Sequence, residues 1–426
     1  MNVRLPVSVA VVAIFLAACA DRQDVADSDG KWIGTITTEG NVTTVVNESG
    51  SVWGGTATLV EELSIGVDRG EPPYMLGPPR TVWDDGDLII VPDIQVPTIR
   101  VFDTAGSFVG EIGRAGQGPG EYQYPWSAIR LSDGRFAVSN SRSDWVEIFS
   151  ADLSYQERWN ATWEGDRPER LSAHGLMHLG DTGVLYLTYL RIPDPGELVR
   201  TGFKPIGPGA PSTLLWEPER DEQLLRNCLN TECTRWATVA YGPEFSFPSL
   251  TPSGGVVSGF SDEYRLEIEE ADGTKTIIER RWDPVPVDDE EWEYWTQRQR
   301  AYGLSSNPAW RPGWSDDVPR HKPAFSWLHA GRSGRILVVR EGPSRRIEPC
   351  TEDPQSGDSD FVPCWESTWI WDMFDADGRY LGEIASPGYR MSPFPFLDDR
   401  RLTMAVTDDA GTIMIKRYRL VLPGEE

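Results

Sequence analysis

The chain has too little positive charge for a nucleic-acid-binding protein. Its 40 lysines and arginines stand against 66 aspartates and glutamates, which gives a net charge of −26 over 426 residues. Nucleic acids and anionic bilayers both bind proteins through clustered basic side chains, so this balance argues against either as a partner. Hydrophobic residues make up 39% of the chain, which is enough for a packed core in one large or two ordinary domains.

The apolar run near the start of the chain is too short to cross a bilayer comfortably. It extends from Val7 to Ala18 and follows the basic residue Arg4. A short apolar run behind a basic residue is typical of a secretory signal peptide. We therefore expect residues 1–18 to direct export.

The predicted signal peptide runs into the tetrapeptide Leu16-Ala17-Ala18-Cys19, which resembles the bacterial lipobox. The resemblance implies that Cys19 is diacylated and that residues 19–31 form a flexible polar tether. A lipid would then hold the protein on a membrane without a spanning segment. Ala20, in place of Asp, favours the outer membrane, so we expect a periplasmic or surface-exposed protein of the cell envelope. The alternative is an ordinary signal peptide with an incidental cysteine.

Four cysteines remain after the lipobox, and an even number in an exported chain favours disulfides. Cys228 and Cys233 are separated by four residues, while Cys350 and Cys364 bracket a polar loop. Local pairing is the simplest interpretation and gives the disulfides Cys228–Cys233 and Cys350–Cys364. A zinc site is the alternative, although neither pair has the Cys-x-x-Cys spacing of a zinc knuckle.

A repeated hairpin predicts the fold class. The segments Val101–Ile112 and Met373–Ile384 agree at six of twelve positions, and each has a strand, an Asp/Gly turn and a second strand. Asp93 and Asn140 occupy matching places 47 residues apart. Four short antiparallel strands in a unit of about 45 residues are typical of a propeller blade. We therefore predict an all-β fold, a six-bladed β-propeller of four-stranded antiparallel blades.

The glycine-rich stretch 113–120 follows the first hairpin and leads to Pro125 and a new strand. A phosphate-binding glycine loop opens a helix instead, so we interpret this stretch as the crossover between two blades. Together with its hairpin, the sequence FDTAGSFVGEIGRAGQGPGEYQYP resembles the NHL-repeat propeller pattern. With the lipobox, the chain resembles the exported bacterial six-bladed β-propeller lipoproteins, and this resemblance implies a fold and no single activity.

The repeat places five blades at about 72–114, 119–165, 167–240, 245–284 and 320–386, with a sixth after residue 394. The third blade is irregular and contains the first cysteine pair. The last blade has only three strands of its own. We expect the β-branched segment 41–47 to supply the fourth by pairing near Ile413–Tyr418, which closes the ring and removes a free sheet edge. The propeller would thus occupy residues 32–426.

One segment departs from the β pattern. Asp288, with Glu291 three residues later, forms a capping-box sequence, and Gly303 suits a helix C-terminus. We predict an amphipathic helix over about 288–302, inserted between the fourth and fifth blades, with Trp292 and Trp295 on one side. Either that side packs on the propeller, or the helix serves as a lid or as a partner helix.

The crossover loops and the loops between second and third strands emerge on one face of a propeller, and we expect that face to bind ligands. Its candidate residues are Arg114, Gln117, Tyr122, Tyr124, Trp126, Arg142, Asp144, Asp262, Arg345 and Arg346. Arginine and aromatic side chains suit polar ligands and protein partners. We expect the face to bind an envelope protein, a peptide or a glycan without catalysis.

The alternative is a calcium- or zinc-dependent hydrolase or lyase of the lactonase type, with its metal ion in the central channel. The chain has no Gly-x-Ser-x-Gly and no His-Glu-x-x-His motif. Its histidines follow no spacing that would bring three to one metal ion; they are His174, His178, His321 and His329. Asp93 and Asn140 are expected to cap turns. We therefore expect no metal or other cofactor.

Overall fold

Short runs of β-branched and aromatic residues, separated by Asp/Gly turns, form the strands of this protein. The computed structural model describes residues 30–163, 166, 170–191, 200–217, 227–229, 232–234, 241–242, 245–306, 320–348, 350, 364–387, 394–408 and 410–425. Its described strands form eight sheets, of which two have only two strands; each of the other six contains four antiparallel strands that form a blade. The fold is a six-bladed β-propeller, as predicted.

The first three blades are continuous in the chain. Blade 1 has strands Trp83–Asp84, Leu88–Asp93, Thr98–Asp103 and Phe108–Ile112. Blade 2 has strands Pro125–Arg130, Phe136–Asn140, Trp145–Phe149 and Tyr155–Asn160. Blade 3 has strands Leu171–Leu179, Leu185–Arg191, Arg200–Ile206 and Leu215–Trp216.

The other three blades complete the ring. Blade 4 has strands Ser249–Leu250, Val256–Gly259, Arg265–Glu269 and Lys275–Arg280. Blade 5 has strands Trp327–Ala330, Ile336–Arg346, Trp365–Phe374 and Tyr380–Ile384. Blade 6 has strands Phe396–Leu397, Arg401–Thr407 and Ile413–Val421, and its fourth strand is Thr58–Ile65.

The hydrophobic core lies between neighbouring blades. The second and third strands of blade 1 are buried almost throughout, because each blade packs between two others. The second strand therefore begins as a continuous apolar run, LIIV, whereas the third strand, TIRVFD, also buries the polar side chains of Thr98 and Arg100. One cluster of buried side chains joins blades 1, 2 and 3; its members include Ile90, Val101, Ile129, Val138 and Leu187.

The glycine-rich stretch is the crossover between blades 1 and 2, as predicted. It contains a short parallel pair, Arg114–Ala115 with Glu121–Tyr122. Gly113 has φ +69°, and a Cβ atom there would lie 2.2 Å from the Tyr122 ring. Only glycine therefore fits this close approach of backbone to ring.

The predicted closing strand is wrong. Residues Thr58–Ile65 pair antiparallel with Ile413–Val421 and close the ring. The segment predicted for this role, 41–47, lies in the strand Val42–Ser49, which pairs in parallel with the outer strand of blade 4. Both segments have strand-forming sequences. Which strand each of them pairs with is decided by contacts with residues far away in the chain.

The residues before the closing strand follow the outer edges of three blades. The hairpin Ile33–Glu39/Val42–Ser49 enlarges blade 4 to six strands. The backbone then bonds to the outer strand of blade 5, where Val52 and Trp53 donate to Tyr380 and Leu381 at 3.0 and 2.9 Å. The N-terminal part of the propeller thus ties blades 4, 5 and 6 together. Residues 1–18 and most of the predicted tether lie outside the described residues, although Lys31 forms a bridge with Ser51.

The predicted helix between blades 4 and 5 is present, and we call it α1. It spans Asp289–Ser306, and the carboxylate of Asp288 accepts a hydrogen bond from the backbone N–H of Glu291 at 2.8 Å. The helix continues past Gly303 instead of ending there, because one glycine costs a helix only about 1 kcal/mol. A short 3₁₀ helix spans Pro72–Tyr74. No helix among the described residues is long and apolar enough to cross a membrane.

One predicted disulfide is seen directly. Cys350 and Cys364 are joined, with their Cα atoms 4.9 Å apart. Cys228 and Cys233 are register partners in a small hairpin, Asn227–Leu229 with Glu232–Thr234. That hairpin follows the fourth strand of blade 3 and lies outside the blade. The side chains of this second pair are outside the described residues, so its disulfide stays a prediction.

Candidate functional site

The six first strands surround a cavity on the propeller axis. Its volume is about 70 Å³, and every blade contributes to its wall, through residues that include Trp83, Ile129, His178, Leu250, His329 and Phe396. First strands of a propeller are parallel to each other, so residues at equivalent places form layers across the axis. Ile129, His178 and His329 each lie two residues before a similar tight turn and therefore share a layer.

The two ends of the axis differ strongly. One end, the turn face, carries the connections from first to second and from third to fourth strands, which are tight turns such as 132–135 and 375–379. The other end, the loop face, carries the crossovers and the second-to-third-strand loops. It includes α1 and the long second hairpin of blade 5, Ile336–Arg346 with Trp365–Phe374. The insertions in the propeller repeat that the structure describes are therefore concentrated on one face.

A group of aromatic side chains lies where the first strands begin, at the loop-face end of the axis. His174 is in its centre, with ring centroids 4.9 Å from Trp126, 5.2 Å from Phe247 and 6.4 Å from Phe394. The guanidinium of Arg80 lies over Trp126 at 5.2 Å. Blades 2, 3 and 4 and the crossovers into blades 1 and 6 supply these residues, so the group joins most of the ring.

Two histidines that are far apart in the chain lie close together on the propeller axis. His178 and His329 both line the axial cavity, and His174 lies in the aromatic group above it. His178 and His329 are neighbours because equivalent positions of the first strands of blades 3 and 5 face the axis, and a bulge between Ala173 and Met177 separates His174 from them in register. His321 lies elsewhere, with its Nδ1 3.0 Å from the Lys322 carbonyl oxygen.

Burial keeps the three central imidazoles neutral. It lowers the pKa of His174 to about 4, with a further contribution from the charge of Arg80. It lowers the pKa of His178 to about 3, assisted by His329 and His174, and it lowers the pKa of His329 to about 4. Desolvation disfavours the charged form of an imidazole. At neutral pH each of the three rings therefore offers one N–H donor and one acceptor nitrogen.

These histidines do not form a recognisable metal centre. Among the residues that the structure describes, no three His, Cys, Asp or Glu side chains are grouped so that they could hold a metal ion. The repeat residues singled out in the sequence have structural roles. Asp93 accepts backbone hydrogen bonds from Gln95 and Val96 at 2.9 and 3.1 Å, and Asn140 accepts one from Tyr124 at 2.8 Å.

A buried polar network fixes α1 to blade 5. The ammonium of Lys322 is fully buried and donates to Ser344 Oγ at 2.5 Å and Ser367 Oγ at 2.6 Å. Glu291 of α1 and Glu341 of blade 5 lie 3.4 and 3.5 Å from the same nitrogen. Two carboxylates compensate one buried cation, so we assign the cluster a structural role.

Most of the predicted binding residues lie on the loop face, but their charges are largely compensated. Arg114 pairs with Glu121 at 2.8 Å, and Arg345 pairs with Glu366 at 2.7 Å. Arg346 lies 3.5 Å from Glu290. The other candidates include four exposed residues, Gln117, Tyr124, Arg142 and Asp262, while Asp144 is half-buried.

Tyr122 does not belong to any exposed face. It is 1% exposed and packs in the core between blades 1 and 2, with its ring 6.2 Å from that of Phe149. The prediction that Tyr122 lies on the binding face is wrong, because its ring packs against the backbone of Gly113 and is buried between the two blades. Trp126 is half-buried in the aromatic group on the axis. Sequence reasoning missed Met75 and Val96, whose exposed apolar side chains lie on the loop face of blade 1.

Comparison with known proteins agrees with this fold. Residues 75–136 match the model of a family described as a 6-bladed beta-propeller. Similar solved structures include a member of the DUF4221 family from Bacteroides vulgatus, at 12% identity over 86% of this chain and 99% of that chain, with TM-score 0.48. No curated protein sequence matches the chain.

Two further solved structures have comparable coverage. A protein from Bacteroides fragilis that is proposed to be exported has 10% identity over 88% of this chain and 99% of that chain, with TM-score 0.41. A catalytically inactive virginiamycin B lyase from Staphylococcus aureus has 10% identity over 84% of this chain and 98% of that chain, with TM-score 0.37. None of these similarities assigns an activity to this chain.

Proposed function

We propose that this protein is a lipid-anchored propeller of the bacterial cell envelope that binds a protein or peptide partner through its loop face. The lipobox-like sequence ending in Cys19 supports the anchor. The observation that carries the binding role is that three large apolar or aromatic side chains are exposed on the loop face of blades 1 and 2. We call these side chains the loop-face patch, and its members are Met75, Val96 and Tyr124.

The side chains of the loop-face patch are exposed to solvent. Met75, Val96 and Tyr124 are 41%, 55% and 62% exposed. Aromatic and methionine side chains are enriched in the centres of protein interfaces, where they become buried against a partner. Free apolar surface on a rigid support is therefore consistent with a docking site, although single exposed apolar residues are common.

Buried polar contacts hold the patch in place. Arg100 pairs with Asp93 at 3.0 Å and donates to the carbonyl oxygen of Met75 at 2.7 Å. The same Asp93 accepts from the backbone of Val96. Tyr124 is fixed by the side chain of Asn140. Because the backbone is already ordered, little conformational entropy would be lost when a partner binds, which favours affinity.

Site-directed photo-crosslinking in cells tests this proposal. A photoreactive residue at Gln123, beside Tyr124, should capture a discrete partner, and the same residue at Ala151 on the turn face should not. The double variant Val96→Ser/Tyr124→Ser should abolish the crosslink without changing the melting temperature. Equal capture from both faces, or capture that survives the double variant, would contradict the proposal. If the crosslink is lost when the glycans of the cell envelope are removed, the partner is a glycan and the proposal of a protein or peptide partner is wrong.

A further inference from the structure

Two arginines on the loop face have no carboxylate partner in the described part of the chain. Salt bridges join most of the other described arginines to aspartate or glutamate, among them Arg114 and Arg345 on the same face. No salt bridge joins Arg80 or Arg142 to a described carboxylate, and both side chains are exposed. The chain has 66 acidic residues against 40 basic ones, so two uncompensated cations near the loop-face patch are unexpected and need a reason.

Arg80 is held by the flat face of its guanidinium. The group lies over the Trp126 ring, 5.2 Å from the centroid. The next residue, Thr81, donates to the carbonyl oxygen of Trp126 at 3.0 Å and fixes the backbone there. A stacked guanidinium keeps its N–H groups around its edge, and those of Arg80 make no hydrogen bond to a described residue. Arg80 can therefore donate two parallel hydrogen bonds to a carboxylate.

Arg142 has a backbone conformation that residues with a side chain rarely adopt. Its φ is +62°, in the left-handed region where glycine is unstrained. The turn around it is ordered, because the N–H of Ser143 donates to the carbonyl oxygen of Asn140 at 3.2 Å. Asp144, two residues after Arg142, is half-buried and forms no salt bridge with it. An arginine held where glycine would be relaxed indicates that its side chain has a use.

The other non-glycine residues with positive φ in the described ranges use their side chains within the protein. They are Leu153, Arg170 and Tyr241. Leu153 packs against the core cluster of blades 1, 2 and 3. Tyr241 donates to Glu291 at 2.8 Å, and Arg170 also has a partner within the chain. Arg142 makes no hydrogen bond, salt bridge or ring contact with its side chain among the described residues, so its use lies outside the protein.

Both arginines are next to Tyr124, the most exposed member of the loop-face patch. Trp126, on which Arg80 is stacked, follows Tyr124 by two residues. The N–H of Ser141, the residue before Arg142, donates to the carbonyl oxygen of Tyr124 at 2.9 Å. The start of the first strand of blade 2 thus presents an exposed aromatic ring together with two free guanidinium groups.

We propose that this part of the loop face binds an acidic segment of a protein or peptide partner. Aspartate or glutamate carboxylates of the partner pair with Arg80 and Arg142, and an apolar side chain beside them packs on Tyr124. The inference rests on the proposed function and specifies the chemistry of its partner. Arginine suits this role because its planar group matches a carboxylate with two parallel hydrogen bonds.

A long polyanion does not fit the same observations. Two cations on a chain of net charge −26 cannot offset the repulsion along the length of a nucleic acid or an anionic polysaccharide. A short acidic segment gains both ion pairs and brings few other charges to the surface. Its apolar neighbours can also bury the exposed ring of Tyr124, which a polyanion cannot do.

Capture by a photoreactive residue at Gln123 measures the contribution of the two arginines in cells. The double variant Arg80→Gln/Arg142→Gln should lower the crosslink yield several-fold. The matched control, Arg114→Gln/Arg345→Gln, removes the same charge from the same face, but from arginines that are already paired. It should leave the yield unchanged.

Arg142→Gly separates binding from folding. Glycine relaxes the positive φ, so this variant should melt at or above the temperature of the parent protein. It should nevertheless lower the crosslink yield. A residue with only a structural role would not show this combination.

The segment captured at Gln123 then becomes the probe. Mass spectrometry identifies it, and it is synthesised as a peptide in its natural form and with Asn or Gln in place of Asp or Glu. The amide form should bind the parent protein about tenfold more weakly, and sodium chloride raised from about 50 to 300 mM should weaken the natural form. The amide form and the natural form should bind Arg80→Gln/Arg142→Gln almost equally, because the two changes remove the same ion pairs.

The outcomes distinguish this inference from the proposed function. Capture that the arginine variant leaves unchanged, or that the control lowers equally, would overturn the acidic partner and leave the docking face standing. A captured segment without Asp or Glu, or additive effects in the peptide cycle, would do the same. Capture of a nucleic acid or a polysaccharide, or no capture at Gln123 in the parent protein, would overturn both.

Discussion

Arg417 and Asp84 form a bidentate pair across the seam where the propeller ring closes. The Nε and Nη2 atoms of Arg417, in the third strand of blade 6, each lie 2.7 Å from one carboxylate oxygen of Asp84 in blade 1. Thr403 donates to the same carboxylate at 2.6 Å. Asp84 is fully buried. The last and first blades are therefore joined by a compensated buried charge as well as by the closing strand.

Removing the charge of Asp84 should destabilise the contact between blades 6 and 1. Asp84→Asn leaves Arg417 buried without its counter-ion, and the loss of one partner from a buried pair costs about 3–5 kcal/mol. We expect a lower midpoint in urea unfolding with a loss of that size. Glu425→Gln, which breaks the exposed pair between Glu425 and Arg400, is the matched control and should leave the midpoint unchanged. Equal effects of the two substitutions would show that the seam does not depend on the buried pair.

The disulfides should stabilise the loop face moderately. Replacing Cys350 and Cys364 by serine releases a loop of separation 14, for which chain entropy predicts about 3 kcal/mol. Thermal melting with and without a reducing agent measures the loss. Peptide mapping without reduction should also recover Cys228 linked to Cys233. Recovery of free thiols, or of a cross-link between the two pairs, would refute the predicted pairing.

The buried histidines should make the protein sensitive to acid. Their pKa values of about 4, 3 and 4 in the folded state lie below the ordinary 6.5, so protonation favours the unfolded chain. The contribution of the neutral histidines to the free energy of unfolding is complete above about pH 6.5 and is lost as the pH falls toward 4. Between pH 7 and 5 each histidine accounts for about 2 kcal/mol of that loss. His329→Gln should therefore reduce the difference in unfolding free energy between these two pH values, and the surface variant Gln117→Ala should not. An unchanged difference in His329→Gln would contradict the assignment.

Local patterns in the sequence were sufficient for the blades and for α1. The hairpins that contain Asp103 and Asp375 predict the blade repeat because each Asp/Gly turn is stabilised within a few residues: Asp103 accepts from Ala105 and Ser107. The N-cap at Asp288 is likewise a local interaction. Such contacts depend on neighbours in the chain, so the sequence displays them directly.

Pairing between distant segments was predicted less well. The closing strand Thr58–Ile65 contains Glu61 and Glu62, which suggest an exposed surface, but Lys416 lies 2.8 Å from Glu61 in the partner strand. Arg419 lies 3.1 Å from Glu62. These complementary charges were a usable signal. The parallel pairing of Val42–Ser49 with blade 4 has a single, longer ion pair among the described residues, between Glu48 and Arg281 at 3.8 Å. The approach of His178 to His329 depends on how blades 3 and 5 align around the axis, which no local pattern displays.

The Lys322 network should control how firmly α1 is held. Lys322→Met leaves Glu291 and Glu341 without their shared cation, so we expect α1 to lose hydrogen-exchange protection before the blades do. The triple variant Lys322→Met/Glu291→Gln/Glu341→Gln removes all three charges and should recover part of that protection. If the single and triple variants exchange alike, the buried cation is not what holds the helix.

Three changes in the N-terminal region should have different effects on membrane attachment and on stability. Cys19→Ser should release the protein from membranes without changing its melting temperature, because the predicted lipid lies outside the propeller. A chain that starts at residue 57 loses the hairpin on blade 4 and the bonds of Val52 and Trp53 to blade 5, yet keeps Thr58–Ile65 and a closed ring. It should melt at a lower temperature and stay monomeric.

A chain that starts at residue 67 loses the closing strand and several backbone hydrogen bonds of about 1 kcal/mol each. It also exposes the sheet edge that this strand covers. It should aggregate. Membrane fractionation, melting and size-exclusion chromatography distinguish these outcomes. Membrane retention of Cys19→Ser would contradict the lipid anchor, and equal behaviour of the two shortened chains would contradict closure by Thr58–Ile65.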